Sequence, residues 1–356
     1  MRIAKQRFFG AAALVALVAV PMIGVRTLSA QAQGAPAEGG QGRGGRGGQG
    51  RGGQGRGGGD AKAPVASVRA IKVKGNVWMI VGAGANIAMQ AGKEGVVLVD
   101  TGAPGMTDAV LAAIRSVSAG PIRYVFSTSV TLDHIGGNAV IDALPGGDTT
   151  GKGRGGPLPN NIAHANLLDR MSRPGPDGNS PFPTVGWPSD GYLSTRRNVY
   201  FNDENIDLIH EPNAHTDGDT IVYFRASNVL VSGDIFTTTN LPLIDRKQGG
   251  TSKGMLDALN AMLDIAQPEN MMEGGTYIIP GHGRVCDQAD LVEYRDMLHE
   301  IRDRMKDLVT VKHLTLEQVK AQRPLIGWEG RYSRPDWTTD MLIETLYQEY
   351  KGDGKP

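Results

Sequence analysis

Apolar and polar positions alternate along Val68-Arg69-Ala70-Ile71-Lys72-Val73-Lys74, the pattern of a half-buried strand. Gly75-Asn76 interrupts it, and Val77 to Val81 predicts a second strand. Asn86 to Gln90 and Val96 to Val99 predict two more, separated by the turn Gly92-Lys93-Glu94-Gly95. Val96-Val97-Leu98-Val99 has no polar position, as expected of a strand covered on both faces. It runs into Asp100-Thr101-Gly102. The period then changes. Met106, Val110, Leu111 and Ile114 recur at helical spacing between Met106 and Val117, with Thr107-Asp108 in the first turn. Ile122 to Phe126 returns to strand. This alternation of strand and helix indicates an α/β arrangement.

Residues 142 to 190 carry few regular signals. Pro145-Gly146-Gly147, Gly151 to Pro159 and Pro174 to Pro188 read as loop, with a strand and short helix between Asn161 and Met171. Irregular stretches of that length inside a compact domain often frame a pocket. Strands return at 206–210, 220–225 and 228–232. Ser252 to Ile265 is an amphipathic helix with Met255, Leu256, Leu259, Met262 and Leu263 on one face. Tyr277-Ile278-Ile279 is a short buried strand. Asp287 to Leu308 is a long helix, Thr315 to Gln318 has a capping-box pattern, and Thr338 to Tyr350 closes the chain as a helix.

Composition separates the ends from this body. Arg2, Lys5 and Arg7, the apolar run Phe8 to Val25 and Ala30-Gln31-Ala32 form a secretory signal pattern with cleavage after Ala32. Residues 33–64 are mostly Gly, Gln and Arg, with nothing to bury, and are expected to be a disordered tether. A use of its four arginines in surface binding is the weaker reading. The first 60 residues hold eight Lys/Arg and two acids, leaving the rest with 29 basic and 35 acidic side chains, a net of −6. That argues against nucleic acid as a partner of the folded part. The only cysteine, Cys286, excludes an internal disulfide and a thiolate-rich zinc site. Any metal site must be built from His and carboxylates.

Candidate chemistry collects at strand ends. The strand Ile122 to Phe126 leads into Ser127-Thr128-Ser129-Val130-Thr131-Leu132-Asp133-His134-Ile135-Gly136-Gly137-Asn138. Asp100-Thr101-Gly102, Ser232-Gly233-Asp234 and Pro280-Gly281-His282-Gly283 each follow a strand, and His215-Thr216-Asp217-Gly218-Asp219-Thr220 precedes one. Singly, His215 is also compatible with a surface turn and Gly233-Asp234 with a common turn pair. The ordered set resembles the metallo-β-lactamase superfamily over about residues 66–310. Its first metal motif reads His-x-His-x-Asp-His; here Ser129 and Thr131 stand at the first two histidine positions.

The resemblance implies an αββα sandwich: two mixed sheets face to face, helices outside, the site at one edge. It places the domain at 65–310 and a helical extension packed on it at 311–356. It implies that the first metal position is lost, since it keeps only His215 and a share of Asp234, and neutral hydroxyls are poor zinc ligands. The second position keeps Asp133, His134, His282 and bridging Asp234. One divalent ion is expected there, Zn²⁺ first, with Fe²⁺ or Mn²⁺ as alternatives. A metal-free site, with Asp133, His134 and His282 as loop support, stays open. Asp100 is expected to orient the loop from behind the ligands. His215 and Asp133 are the expected catalytic residues, His215 as general base or oxyanion partner because imidazoles titrate near neutrality.

The functional expectation is an exported, periplasmic or secreted hydrolase acting on a small-molecule ester, thioester, lactone, lactam or sulfate ester. The alternative is a non-catalytic descendant that binds a small molecule or protein in the old cleft. No lasting membrane anchor is expected once the signal is removed. His164 in Ile162-Ala163-His164-Ala165-Asn166 is expected to pack near the site, chiefly as a structural residue. His210, His299 and His313 are assigned no chemistry. Trp187, Trp328, Tyr332 and Trp337 are expected in core or pocket walls, and Cys286 as a buried inert thiol.

Overall fold

The structure is a computed structural model that describes residues 67–352, except 145–157, 175–177, 179, 272 and 333. The expected signal, the whole of the tether and part of the loop-rich stretch lie outside the described residues. Twelve strands form among the described residues: β1 (Arg69–Lys74), β2 (Val77–Val81), β3 (Ile87–Gly92), β4 (Gly95–Val99), β5 (Ile122–Phe126), β6 (Asn160–His164), β7 (Asp190–Tyr192), β8 (Arg196–Phe201), β9 (Glu204–His210), β10 (Thr220–Phe224), β11 (Val229–Val231) and β12 (Tyr277–Ile279). The α-helices are α1 (Thr107–Arg115), α2 (Leu132–Ile135), α3 (Asn138–Ile141), α4 (Ala165–Ser172), α5 (Ser252–Ile265), α6 (Gln288–Lys306), α7 (Leu316–Ala321), α8 (Glu329–Tyr332) and α9 (Thr339–Lys351).

Strands β1 to β7 make one sheet in chain order, and the second runs β12-β11-β10-β9-β8. Both are mixed. The first is antiparallel from β1 to β4 and parallel from β4 to β7. The second is antiparallel from β8 to β11, with β12 parallel to β11. The unbroken apolar run of β4 is explained by the two faces it serves. Val97 and Val99 join Phe126, Val222, Phe224 and Val229 between the sheets. Val96 and Leu98 face Val110 and Ile114 of α1. On the far face of the second sheet, Ile221, Leu230 and Ile278 pack under α5, α6 and α9. The four layers are helix, sheet, sheet, helix, as the motif order implied.

The C-terminal helices share that outer core: Val319, Leu342, Ile343, Leu346 and Tyr347 are buried with Leu259, Leu298 and Ile301. Capping boxes open α6 at Asp287 with Asp290 and α7 at Thr315 with Gln318. Some sequence expectations change. The helix read to Leu308 ends at Lys306 and passes into a wider turn, Asp307–Val311. His313 sits beyond that turn with φ +53°. Strands β7 and β8 and the short helices α2 and α3 have no counterpart in the sequence reading.

Leu346→Ala, in the shared outer core, is expected to lower unfolding free energy by about 2–5 kcal/mol in urea denaturation. Tyr200→Ala, on a side chain 69% exposed, is expected to change it by less than about 0.5 kcal/mol.

Candidate metal centre

The centre is built where strand ends release their side chains. β4 ends at Val99 and is followed by Asp100, which is buried and takes a left-handed φ of +66°. Its Oδ1 accepts the Thr128 N–H at 2.8 Å, and its Oδ2 accepts the Thr128 hydroxyl at 2.6 Å. The same Oδ2 lies 2.7 Å from His134 Nδ1. A carboxylate only accepts, so Nδ1 carries the proton and Nε2 faces forward. The backbone repeats the constraint: the His134 carbonyl accepts from Thr101 N–H at 2.7 Å and Gly102 N–H at 3.0 Å. The Gly-Gly of the motif is needed for this approach, since a Cβ on Gly136 would lie 2.4 Å from Pro104 N.

His134 Nε2 lies 3.1 Å from Asp234 Oδ1, without hydrogen-bonding alignment. Both atoms are buried, and neither has a hydrogen-bond partner. His282 Nε2 lies 3.1 Å from Asp133 Oδ2 and 3.6 Å from Asp234 Oδ1. Burial opposes charge on the His134 ring, but Asp234 and Asp100 outweigh it and hold its pKa well above the histidine range. Burial likewise opposes charge on Asp234, and His134, His215 and His282 overcome it and depress its pKa. Asp133 is held below its ordinary value in the same way, burial being offset by His282 and His134.

These separations allow a direct test of fit. Donors bonded at about 2.0–2.2 Å to a tetrahedral ion stand about 3.3–3.6 Å apart. The observed 3.1, 3.1 and 3.6 Å span that range. Asp133, His134 and His282 also form the one group of three or more His, Cys or acidic side chains, among the described residues, that could surround an ion. Two imidazoles with carboxylates suit Zn²⁺, Fe²⁺ or Mn²⁺. Buried polar atoms without partners are rare and costly, and an ion on His134 Nε2 and Asp234 Oδ1 would satisfy both.

The other side of Asp234 differs. Its Oδ2 lies 3.5 Å from the Thr131 hydroxyl and 3.6 Å from His215 Nε2. Ser129 and Thr131 turn their hydroxyls to each other at 3.2 Å. His215 is buried, and its Nδ1 lies 3.1 Å from the Leu243 carbonyl. A carbonyl only accepts, so this bond places the proton on Nδ1 and the lone pair on Nε2, a buried atom with no hydrogen-bond partner.

The metallo-beta-lactamase superfamily model matches residues 73–282, more than half of the chain. The chain belongs to this superfamily. No curated protein matches it significantly. Among solved structures, the stereoselective inverting sec-alkylsulfatase Pisa1 from Pseudomonas sp. is similar over 80% of this chain, with TM-score 0.61 and 16% identity. The match covers 50% of that protein, so this chain spans about half of its length. A metallo-beta-lactamase from Pontibacter korlensis matches over 65% of this chain and 99% of its own, at 16% identity and TM-score 0.49. Members of the superfamily typically bind divalent metals, and Asp133, His134 and His282 of this member form a possible site.

The fold thus brings together every residue singled out for the site: Asp100, Ser129, Thr131, Asp133, His134, His215, Asp234 and His282. Sequence reasoning missed Thr128, which holds Asp100, because a threonine in a loop carries no distinguishing signal. It also missed Leu243, whose carbonyl sets the His215 tautomer through a backbone contact. Asp217 and Asp219 serve the loop: Asp217 pairs with Arg170 and Asp219 accepts from Thr216 N–H and hydroxyl. Cys286 is buried and its thiol is pushed up to about 12 by burial, with nearby Asp290 adding to the shift.

His164 is the last residue of β6 and caps α4, its Nδ1 accepting from Asn166 N–H at 3.3 Å. Its ring stacks on His210, centroids 3.4 Å apart and 6° from parallel. His210 Nε2 donates to the Asp217 carbonyl at 2.8 Å. Burial, then His210, lowers the His164 pKa to about 4, and burial lowers that of His210.

Two outcomes are expected. Asp100→Ala frees the His134 ring and is expected to weaken metal binding by about 10–100-fold in chelator competition. Because the His164 pKa is lower folded than unfolded, its stabilising contribution is full above about 6.5 and is lost as pH falls toward about 4. The melting-temperature lead of the wild type over His164→Phe is therefore expected to shrink across that window.

Proposed function

We propose that the protein is an exported hydrolase that works with one divalent ion on Asp133, His134, Asp234 and His282. The observation that carries this reading is the convergence of two buried atoms that make no hydrogen bond, His134 Nε2 and Asp234 Oδ1, with Asp133 and His282 around one point. A bound Zn²⁺, Fe²⁺ or Mn²⁺ supplies Lewis-acid polarisation and makes water a nucleophile at neutral pH. The chain's own residues supply orientation and proton transfer. Asp100 fixes the His134 ring. His215 presents the Nε2 lone pair, takes the proton of the attacking water and returns it to the leaving group. Asp234 Oδ2, 3.6 Å away, stabilises the imidazolium formed in between. The Ser129 and Thr131 hydroxyls offer a polar wall for a substrate oxygen where the superfamily motif has histidines.

The substrate is a small molecule with an ester, thioester, lactone or related bond. Sulfate esters belong in the same screen, because a sec-alkylsulfatase shares the fold over most of this chain. Export rests on the basic start, the apolar run and Ala30-Gln31-Ala32. The net charge of −6 beyond residue 60 disfavours nucleic acid as a partner. Removal of the signal would take the apolar run Phe8 to Val25 with it.

Metal analysis of the mature protein by mass spectrometry is expected to find about one ion per chain, lost in Asp133→Ala and in His282→Ala. His215→Ala is expected to keep the ion and slow hydrolysis by about 10²–10⁴-fold. If no ion is held after reconstitution with zinc, iron and manganese, the hydrolase reading falls. A non-catalytic binding role in the old cleft then takes its place.

A further inference from the structure

A cavity of about 590 Å³ opens beside His215, within the size range of small-molecule sites. One wall is the turn from Leu243 to Lys247; the other is Leu316 of α7, Trp337, and Met341, Glu344, Thr345 and Gln348 of α9. The second wall lies wholly beyond residue 282, where the superfamily match ends. The cavity is therefore shaped by the part of the chain that the family motifs do not describe. Trp337 is held in place by its indole N–H, which donates to the Pro242 carbonyl at 3.1 Å.

Its chemistry is divided. Leu243, Ile244, Leu316, Trp337 and Met341 give an apolar body. The charged lining is Asp245, Arg246, Lys247 and Glu344. The two acids are engaged within the protein. Asp245 Oδ1 accepts from the N–H groups of Lys247 and Gln248, and Glu344 pairs with Lys320 at 2.5 Å. Lys247 is exposed at the rim. With Glu344 paired and Asp245 turned onto backbone N–H groups, the exposed ammonium of Lys247 is the charge offered at the rim, and an apolar body with that one cation complements a molecule that is apolar along its length and negative at one point.

Resting on the hydrolase reading for where the reaction occurs, we infer that the substrate is an anionic amphiphile. Its alkyl or aryl body lies against Trp337 and Met341, its negative group meets the Lys247 rim, and its scissile bond faces His215. The extension from Leu316 to α9 is the specificity wall. The body is held by burial, so each methylene removed weakens binding by about fourfold.

The test uses the full mature protein stripped of metal with a chelator, so that its outcome does not depend on the ion. Sodium decanoate, octanoate and hexanoate are titrated by calorimetry, with decyltrimethylammonium as the chain of opposite charge. Decanoate is expected to bind at one site, each shorter carboxylate, with two methylenes fewer, about 16-fold more weakly than the one before, and decyltrimethylammonium at least tenfold more weakly. Thr345→Trp and Gln348→Trp each fill the cavity from α9 and are expected to abolish decanoate binding, with folding checked by circular dichroism. Lys247→Glu is expected to remove the preference for the anion. Equal affinity for decanoate and hexanoate, equal affinity for the two decyl chains, or wild-type binding in both folded tryptophan variants would each overturn the inference. A protein that binds decanoate in this way but never takes up metal supports the cavity assignment and sinks only the hydrolase reading.

Discussion

The bond between Asp100 and His134 is the constraint on which the site depends. Both side chains are almost completely removed from water. A left-handed aspartate costs about 1–2 kcal/mol relative to ordinary backbone. Hydrogen bonds to a charged group contribute about 1.5–3 kcal/mol each, and the Asp100 carboxylate takes three, two from Thr128 and one from His134. The gain exceeds the strain, so the unusual conformation persists. Its consequence is directional: with Nδ1 committed to Asp100, the buried ring has only Nε2 to offer. The clamp on the His134 carbonyl from Thr101 and Gly102 fixes the same loop from the backbone side. The centre is thus arranged before any ligand arrives, and little reorganisation opposes metal uptake.

Asp234 divides the centre into unequal halves. Its Oδ1 meets two imidazoles and, through His282, the Asp133 carboxylate. Its Oδ2 meets one imidazole and a threonine hydroxyl. Charge and donor softness favour an ion on the first side, where desolvating it is repaid by two carboxylates and two rings. On the second side two neutral hydroxyls bond to each other, which satisfies them without an ion. On the proposed reading, Ser129 and Thr131, where the superfamily motif has histidines, leave His215 free of a ligand's role while the centre keeps its other side. Locked by Leu243 into the tautomer with Nε2 open, His215 is suited to proton transfer.

The superfamily fold was legible from sequence because its strands are bracketed by chemistry. Asp100, Asp133 and His134, His215, Asp234 and His282 each adjoin a segment whose apolar pattern marks a strand, and the order alone indicated the sandwich. β4 was visible as an unbroken apolar run because it serves two cores. β7 and β8 were not visible. β7 is three residues long, and β8, Arg196 to Phe201, alternates weakly, with its register set by partner β9 rather than by its own pattern. α2 and α3 are single turns inside a ligand loop, held by tertiary contacts that no local propensity announces. The cavity was hidden for a similar reason. Trp337 and Met341 are distant in sequence from Leu243, and only the packing of α9 over the 243–247 turn joins them to His215.

The central claim is that one ion occupies the side of Asp234 that faces His134 and His282. Anomalous diffraction from crystals of the zinc-loaded protein tests it most directly. A single strong peak is expected, bonded to His134 Nε2, His282 Nε2 and the carboxylates of Asp133 and Asp234, with no peak beside Ser129 and Thr131. A peak centred on His215 and the two hydroxyls, or two peaks of comparable height across Asp234, would contradict it.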